Sequence, residues 1–171
     1  MYFITGASGV GKTSIFQHVK SLLPKNFEIH DFDERGVPDN ADHTWRIEET
    51  KYWIHLANEK VGENKTILIL GFANPDEIKL IQPDFPNIVI KTILLDGEVA
   101  VIEKRLRNRN KDKKVLADLE RATGSAEKFI KNNSNFIPTL REICLKHRCH
   151  IIDTTHLKPE AVAIRVAQLV T

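Results

Sequence analysis

Cysteine is scarce in this chain of 171 residues, which has two, Cys144 and Cys149. Two thiols make neither a disulfide framework nor a four-ligand zinc site, so both are expected reduced, in a reducing compartment. Long apolar runs are missing as well. None approaches the roughly 18 residues that a membrane-spanning helix requires. Charge of one sign is not in excess: Lys and Arg total 25, Asp and Glu 23, a formal charge of +2. That balance argues against nucleic acid as a partner. The seven histidines fall in no HExxH-like spacing with another His, Cys or acid, which excludes that class of metal centre. No internal repeat or low-complexity tract interrupts the chain. The strand-like run "YFIT" begins at Tyr2, leaving no room before it for a charged leader and apolar signal segment, so a cytoplasmic location is expected.

What is present is a succession of short apolar runs separated by longer helical segments. The runs are Tyr2 to Thr5, Phe27 to Phe32, Thr66 to Phe72, Ile88 to Leu95 and His150 to Thr154. Ile, Val and Leu with little alternation suit strands buried on both faces, as in a parallel sheet covered by helices. The repeated β-α-β order predicts an α/β fold in one domain over 1–171. Helices are predicted over Lys12 to Leu23, Thr44 to Lys60, Glu98 to Arg109 and Ala126 to His147, the last broken near Pro138. A final helix starts near Pro159, a favourable first-turn residue.

"GASGVGKT", Gly6 to Thr13, matches G-x-x-x-x-G-K-[ST] between the first strand and the first helix, the context that the motif requires. Its residue types follow from the chemistry. Glycines let successive N–H groups face phosphate oxygens, and the following helix adds its positive end. Gly6, Ala7, Ser8, Gly9, Val10, Gly11, Lys12, Thr13 and Ser14 are therefore the expected nucleotide-binding residues. Lys12 reaches the β- and γ-phosphates, and the Thr13 hydroxyl contacts Mg²⁺. ATP with its Mg²⁺ is the expected cofactor.

At these residues the chain resembles the small P-loop kinases, the group that includes nucleoside monophosphate, shikimate and gluconate kinases. The resemblance implies a three-layer P-loop fold with a five-stranded parallel sheet of order 2-3-1-4-5. It also implies transfer of the γ-phosphate of ATP to a small-molecule acceptor, an acceptor-binding region at about 37–60 and a lid at about 105–125. The "DFD" after the second strand resembles the acidic pair of several such kinases. That maps Asp31 onto the metal side and Asp33 onto the base that accepts the acceptor's proton. In an extended segment the two carboxylates share a face and Phe32 points the other way. Arg35 continues the loop and is a candidate clamp for an anionic acceptor.

Six basic residues lie between Arg105 and Lys114. As a lid they would neutralise the transferring group and exclude water. Arg105 and Arg109, four apart and so on one side of a helix, are the candidates for this role. Asp96 is expected as a loop or helix-capping residue, and Trp45 with Trp53 as helix core. "IIDTTHLKPE" resembles the segment beside the adenine in many small kinases, which makes Asp153, Thr154 and Thr155 candidates to contact the base or else residues of a helix-entry loop. After the third strand stand Gly71 and Phe72, where a motor ATPase would carry an acid. Neither "NKTI" nor "NKDK" completes N-K-x-D, so a guanine-specific switch is not expected. Two alternatives stay open: a nucleotide-binding regulatory or switch module with weak hydrolysis, and a nucleic-acid 5′-end kinase. The acceptor and the oligomeric state are not specified.

Overall fold

A computed structural model describes residues 1–39 and 41–171. Five strands, β1 (Tyr2–Thr5), β2 (Phe27–Asp31), β3 (Thr66–Leu70), β4 (Lys91–Asp96) and β5 (His150–Asp153), form one parallel sheet in the order β2-β3-β1-β4-β5. Seven helices cover it: α1 (Lys12–Leu22), α2 (His43–Glu59), α3 (Pro75–Ile81), α4 (Val99–Arg109), α5 (Lys113–Thr123), α6 (Ala126–Lys146) and α7 (Pro159–Val170). The fold is α/β with helices on both faces of the sheet.

The strands alternate between two apolar layers. Ile4, Leu68, Leu70, Ile93 and Leu95 pack with α1, α4 and α7, while Phe3, Ile67 and Ile69 pack with Trp53 and Ile54 of α2 and Ile78 and Ile81 of α3. Burial on both faces explains the apolar runs of β3 and β4, whereas the edge strand β2 is half-buried and alternates apolar Phe27 and Ile29 with polar Glu28 and His30. In-register pairing sets Asp31 beside Leu70 and Asp96 beside Asp153. The carboxyl ends of the strands thus form one edge, and the loops that leave β1, β2, β3 and β5 all contribute residues to one crevice there.

Local chemistry marks the helix ends. The Asp42 carboxylate accepts from the Trp45 amide at the start of α2, and Asn74 accepts from Asp76 at the start of α3, which has Pro75 in its first turn. Asp112 caps α5, and Gly124 ends it with φ 77° before Ser125 caps α6. Neither α3 nor α5 was expected: α3 is short, and α5, whose Val115, Leu116, Leu119 and Ala122 do recur at helical spacing, lies inside the segment expected as a lid.

Two expectations are corrected by the elements themselves. The run at 88–95 pairs only from Lys91: residues 86 and 87 form a turn, the Ile88 amide bonds back to the Phe85 carbonyl, and the ladder begins where the Lys91 amide joins the Met1 carbonyl. The helix at 126–147 is not broken: Pro138 sits inside a continuous α6. Proline removes one ladder bond, to the carbonyl four residues earlier, but Ile130, Ile137, Leu140 and Cys144 bury one face of the helix on either side of it. Packing outweighs the local defect.

Candidate active site

The loop between β1 and α1 curls beneath a cleft of about 920 Å³, large enough for a nucleotide and a small second ligand. Ser8 to Ser14 line it, whereas Gly6 and Ala7 lie below its floor and are buried. Gly11 starts α1 in the left-handed region at φ 106°, and a side chain there would meet nothing within 4 Å. Glycine is needed at this point for its backbone angle, not for want of space. No side chain caps α1, so its first-turn amides open into the cleft as donors for an anion. The Lys12 ammonium donates to the Gly6 carbonyl at 2.6 Å and to the Ala7 carbonyl at 3.0 Å. Burial pulls its pKa down to about 8, against the opposing pull of Asp33 and Asp31, and Arg109 lowers it further.

Asp31 and Asp33 line the same cleft. The strand ends at Asp31, and the next residues form a turn in which the Asp31 carboxylate accepts from the Asp33 amide at 2.9 Å. Phe32 points away, 2% exposed, into the apolar layer under α2. The two carboxylates therefore share a face, but through a turn and not through strand alternation. Burial, and then the negative charge of Asp31, raise the Asp33 pKa, while Lys12 opposes the shift. The Nε1 of Trp53 donates to the Phe32 carbonyl at 3.2 Å, so that buried indole holds the turn from below. Trp53 is core, and Trp45 packs half-buried against the same layer.

The third wall comes from α4. Arg105 and Arg109 both line the cleft, whereas Arg107 faces away and pairs with Glu127. Arg105 is strongly anchored: it donates to the Thr154 hydroxyl at 3.1 Å and to the carbonyls of Thr154 and Thr155 at 2.7 and 3.2 Å. Arg109 has no carboxylate partner among the described residues. The Thr154 hydroxyl in turn donates to the Asp96 carbonyl at 2.9 Å, and Asp153 accepts from the Thr155 amide and hydroxyl. Of the three residues matched to an adenine-side segment, only Thr154 borders the cleft; Leu157, Lys158 and Pro159 border it with Thr154.

Several other residues have different partners from those expected. Asp96 caps nothing: Glu98 precedes α4 without a side-chain bond, and Asp96 pairs with Arg141 of α6. Arg35 is not a free clamp, because its guanidinium pairs with the buried Glu49 at 3.0 Å and lies 3.5 Å over the ring of Tyr52. Within the expected acceptor segment 37–60, Asn40 lies outside the described residues. Arg46 of that segment is held by both oxygens of Glu77, at 2.6 and 3.1 Å.

Asn133 of α6 was not anticipated. Its side-chain oxygen accepts from the Ser8 amide at 2.9 Å, and its nitrogen donates to the Ser8 carbonyl at 3.0 Å. This reciprocal pair clips the phosphate loop to the helix that follows α5. Nothing in the sequence signals it, since the partners are 125 residues apart.

Comparison with solved structures settles the fold. A sugar kinase from Janibacter sp. superposes with a TM-score of 0.64 at 16% identity, over 99% of this chain and 92% of that one. The fold is that of the small P-loop kinases. The shikimate kinase from Acinetobacter baumannii in complex with shikimate gives 0.59 at 15% identity over 99% and 91%, and a gluconokinase from Sinorhizobium meliloti 0.59 at 13% over 99% and 94%. No protein-family model matches the chain, and no curated protein matches it in sequence. No helix among the described residues is long and apolar enough to cross a membrane.

The donor set of this P-loop kinase fold suits a magnesium nucleotide. Uncapped amides and an ammonium face the phosphate side, and a hydroxyl, Thr13, shares the cleft with the carboxylate of Asp31. Oxygen ligands of this kind, few in number and leaving room for phosphate oxygens and water, are what Mg²⁺ prefers. No group of three or more His, Cys, Asp or Glu among the described residues forms an independent metal centre.

Proposed function

We propose that this protein is an ATP-dependent phosphotransferase that moves the γ-phosphate to a small hydroxyl- or phosphate-bearing acceptor. The observation that carries this reading is the convergence of three elements on one cleft: the phosphate loop with Lys12, the Asp31–Asp33 pair, and Arg105 with Arg109. The small-molecule kinases that share the fold support a small acceptor.

Each group has a task set by its place. The loop amides and Lys12 hold the phosphates, Lys12 exchanging its carbonyl partners for phosphate oxygens. Thr13 and Asp31 would hold Mg²⁺, which neutralises charge on the phosphates when bound. Asp33, whose pKa lies above the usual carboxylate range, is suited to take the acceptor's proton. Arg109, free of carboxylate partners, supplies positive charge to the transferring group, and Arg105 fixes the wall that carries it. At the end of β3, Gly71 leaves no acid to activate water, which favours transfer to an acceptor over hydrolysis.

The test is ADP production from Mg-ATP, alone and against nucleosides, monophosphates, sugars, other hydroxyl metabolites and 5′-hydroxyl oligonucleotides. Acceleration by one class of small acceptor is expected. A flat response over a slow background would overturn the reading in favour of a nucleotide-binding regulatory module, and acceleration by oligonucleotides alone in favour of an end kinase.

A further inference from the structure

The molecule's two cysteines meet at the carboxyl end of α6, at the sheet edge opposite the cleft. His147 caps that helix, Arg148 follows in the left-handed region at φ 54°, and Cys149 comes next. The Cys149 amide donates to the Cys144 carbonyl at 2.9 Å and the Arg148 amide to the Leu145 carbonyl at 3.0 Å. These are the two bonds of a Schellman turn, whose geometry brings the side chains at the places of Cys144 and Cys149 into contact. Cys144 is buried in a cluster with Leu94 and Leu140, and Cys149 packs half-buried against it. With standard backbone lengths on either side of that amide bond, the two Cα atoms lie within about 7 Å, the reach of a disulfide.

The surroundings divide the two thiols by role. Cys149 lines a cavity of about 470 Å³ together with Lys79, Lys91, Lys146 and Arg148. Asp76 engages Lys146 at 2.8 Å and His147 at 2.6 Å; Lys79, Lys91 and Arg148 have no carboxylate partner among the described residues. A partly exposed thiol in cationic surroundings is the reactive kind, and a buried one is not. The Cys144 thiol beside it draws the Cys149 pKa down, and the same contact together with burial pushes Cys144 up.

We propose that Cys149 and Cys144 are a redox pair, in which Cys149 is oxidised by a hydroperoxide and Cys144 resolves it into a reversible intrachain disulfide. The Cys149 thiolate attacks one peroxide oxygen and the O–O bond breaks. The departing oxygen takes a proton and leaves as water or an alcohol, giving a sulfenic acid. The sulfur of Cys144 then attacks the sulfenic sulfur. As the S–S bond forms and the S–O bond breaks, hydroxide leaves with the Cys144 proton as water. Two electrons pass from the two sulfurs to the peroxide. Thiol reductants reverse the step, as expected of a sensing disulfide in a reducing compartment.

The experiment treats the full chain with limiting hydrogen peroxide, then counts free thiols and measures intact mass. The wild type is expected to lose both thiols together, to lose two hydrogens in mass, to stay a single chain and to recover with dithiothreitol. Cys144→Ser should stop at a sulfenic acid, trapped by dimedone on Cys149, and Cys149→Ser should keep a titratable Cys144 at the same dose. Charge reversal at two exposed sites, Lys91→Glu with Arg148→Glu, should slow iodoacetamide alkylation of Cys149 about threefold or more while leaving the circular dichroism unchanged. Retention of both thiols in the wild type would overturn the proposal. So would a disulfide only between chains, peroxide consumption by Cys149→Ser at the wild-type rate, or an alkylation rate indifferent to the charge reversal.

Discussion

Gly71 and Phe32 compete for one place. A methyl group on Gly71 would overlap the Cβ of Phe32 and lie 3.0 Å from its Cγ and 3.3 Å from its Cα. Phe32 stands between Asp31 and Asp33, so the glycine at the end of β3 is what lets the acidic turn settle onto the sheet. The absence of an acid at position 71 thus has a steric cause. Gly71→Ala must push the turn outward, since the obstructing atoms belong to the base of a buried ring and cannot swing aside. Overpacking of this kind costs about 1–3 kcal/mol. Urea unfolding should show a loss in that range, and phosphoryl transfer should fall while ATP affinity, set on the other side of the cleft, stays near that of the wild type.

Asp33→Asn keeps the size of the side chain and removes its basicity. Because the Asp33 carboxylate has no ion-pair partner among the described residues and its charged form is disfavoured by burial, the variant should unfold at or slightly above the wild-type urea concentration. Phosphoryl transfer should fall by about a hundredfold or more, the usual scale for a lost general base. Nucleotide titration should place ATP affinity within a few fold of the wild type. Full turnover in this variant would remove Asp33 from the reaction.

Much of this architecture is legible in the residues because each signal is local. The phosphate loop announces itself through a fixed spacing of Gly6, Gly11, Lys12 and Thr13, and the central strands β3 and β4 through runs of Ile and Leu that are buried on both faces. What is not legible depends on contacts between distant segments. Pro138 obeys its local rule in most contexts, yet here the buried face of α6 overrides it. Asn133 is an ordinary helix residue until the fold lays it against Ser8. Arg35 reads as an available cation until α2 brings Glu49 to it. The start of α3 was readable after all: Asn74 before Pro75, with Asp76 and Glu77 in the first turn, is a full set of helix-start signals. Likewise Asp112 and Gly124 bracket α5 as cap and stop, behind a run of lysines that read more readily as a flexible basic lid.

Arg105 and Arg109 border the same cleft but should fail differently. Arg105→Ala strips three hydrogen bonds from Thr154 and Thr155, two of them to backbone carbonyls that would lose their donor. A loss of about 1–3 kcal/mol is expected in urea unfolding, because donors are removed from part-buried acceptors. Arg109→Ala touches no such network. It should leave the unfolding midpoint unchanged and lower kcat by about tenfold or more, the scale of one cation lost from the transferring phosphoryl group. A stability loss in Arg109→Ala equal to that in Arg105→Ala would contradict the division of roles.

On the proposed function, Lys12 and Asp33 together are expected to set the pH window. The Lys12 pKa is lowered, to about 8, so in the free protein the ammonium is present below that pH and is lost as pH rises through it. The basic limb of kcat/KM for ATP should therefore fall with an apparent pKa near 8. Bound phosphate restores opposite charge beside the ammonium and raises its pKa, so the basic limb of kcat should lie at higher pH. The Asp33 pKa is raised, so its carboxylate is lost on acidification above the usual carboxylate range, and the acidic limb should sit correspondingly high. Asp31→Asn removes a like charge from Asp33 and an opposite charge from Lys12. Both limbs should then move to lower pH, a joint shift that rate profiles measured with and without the substitution would show. Movement of one limb alone would mean that the two groups do not share the field that the cleft implies.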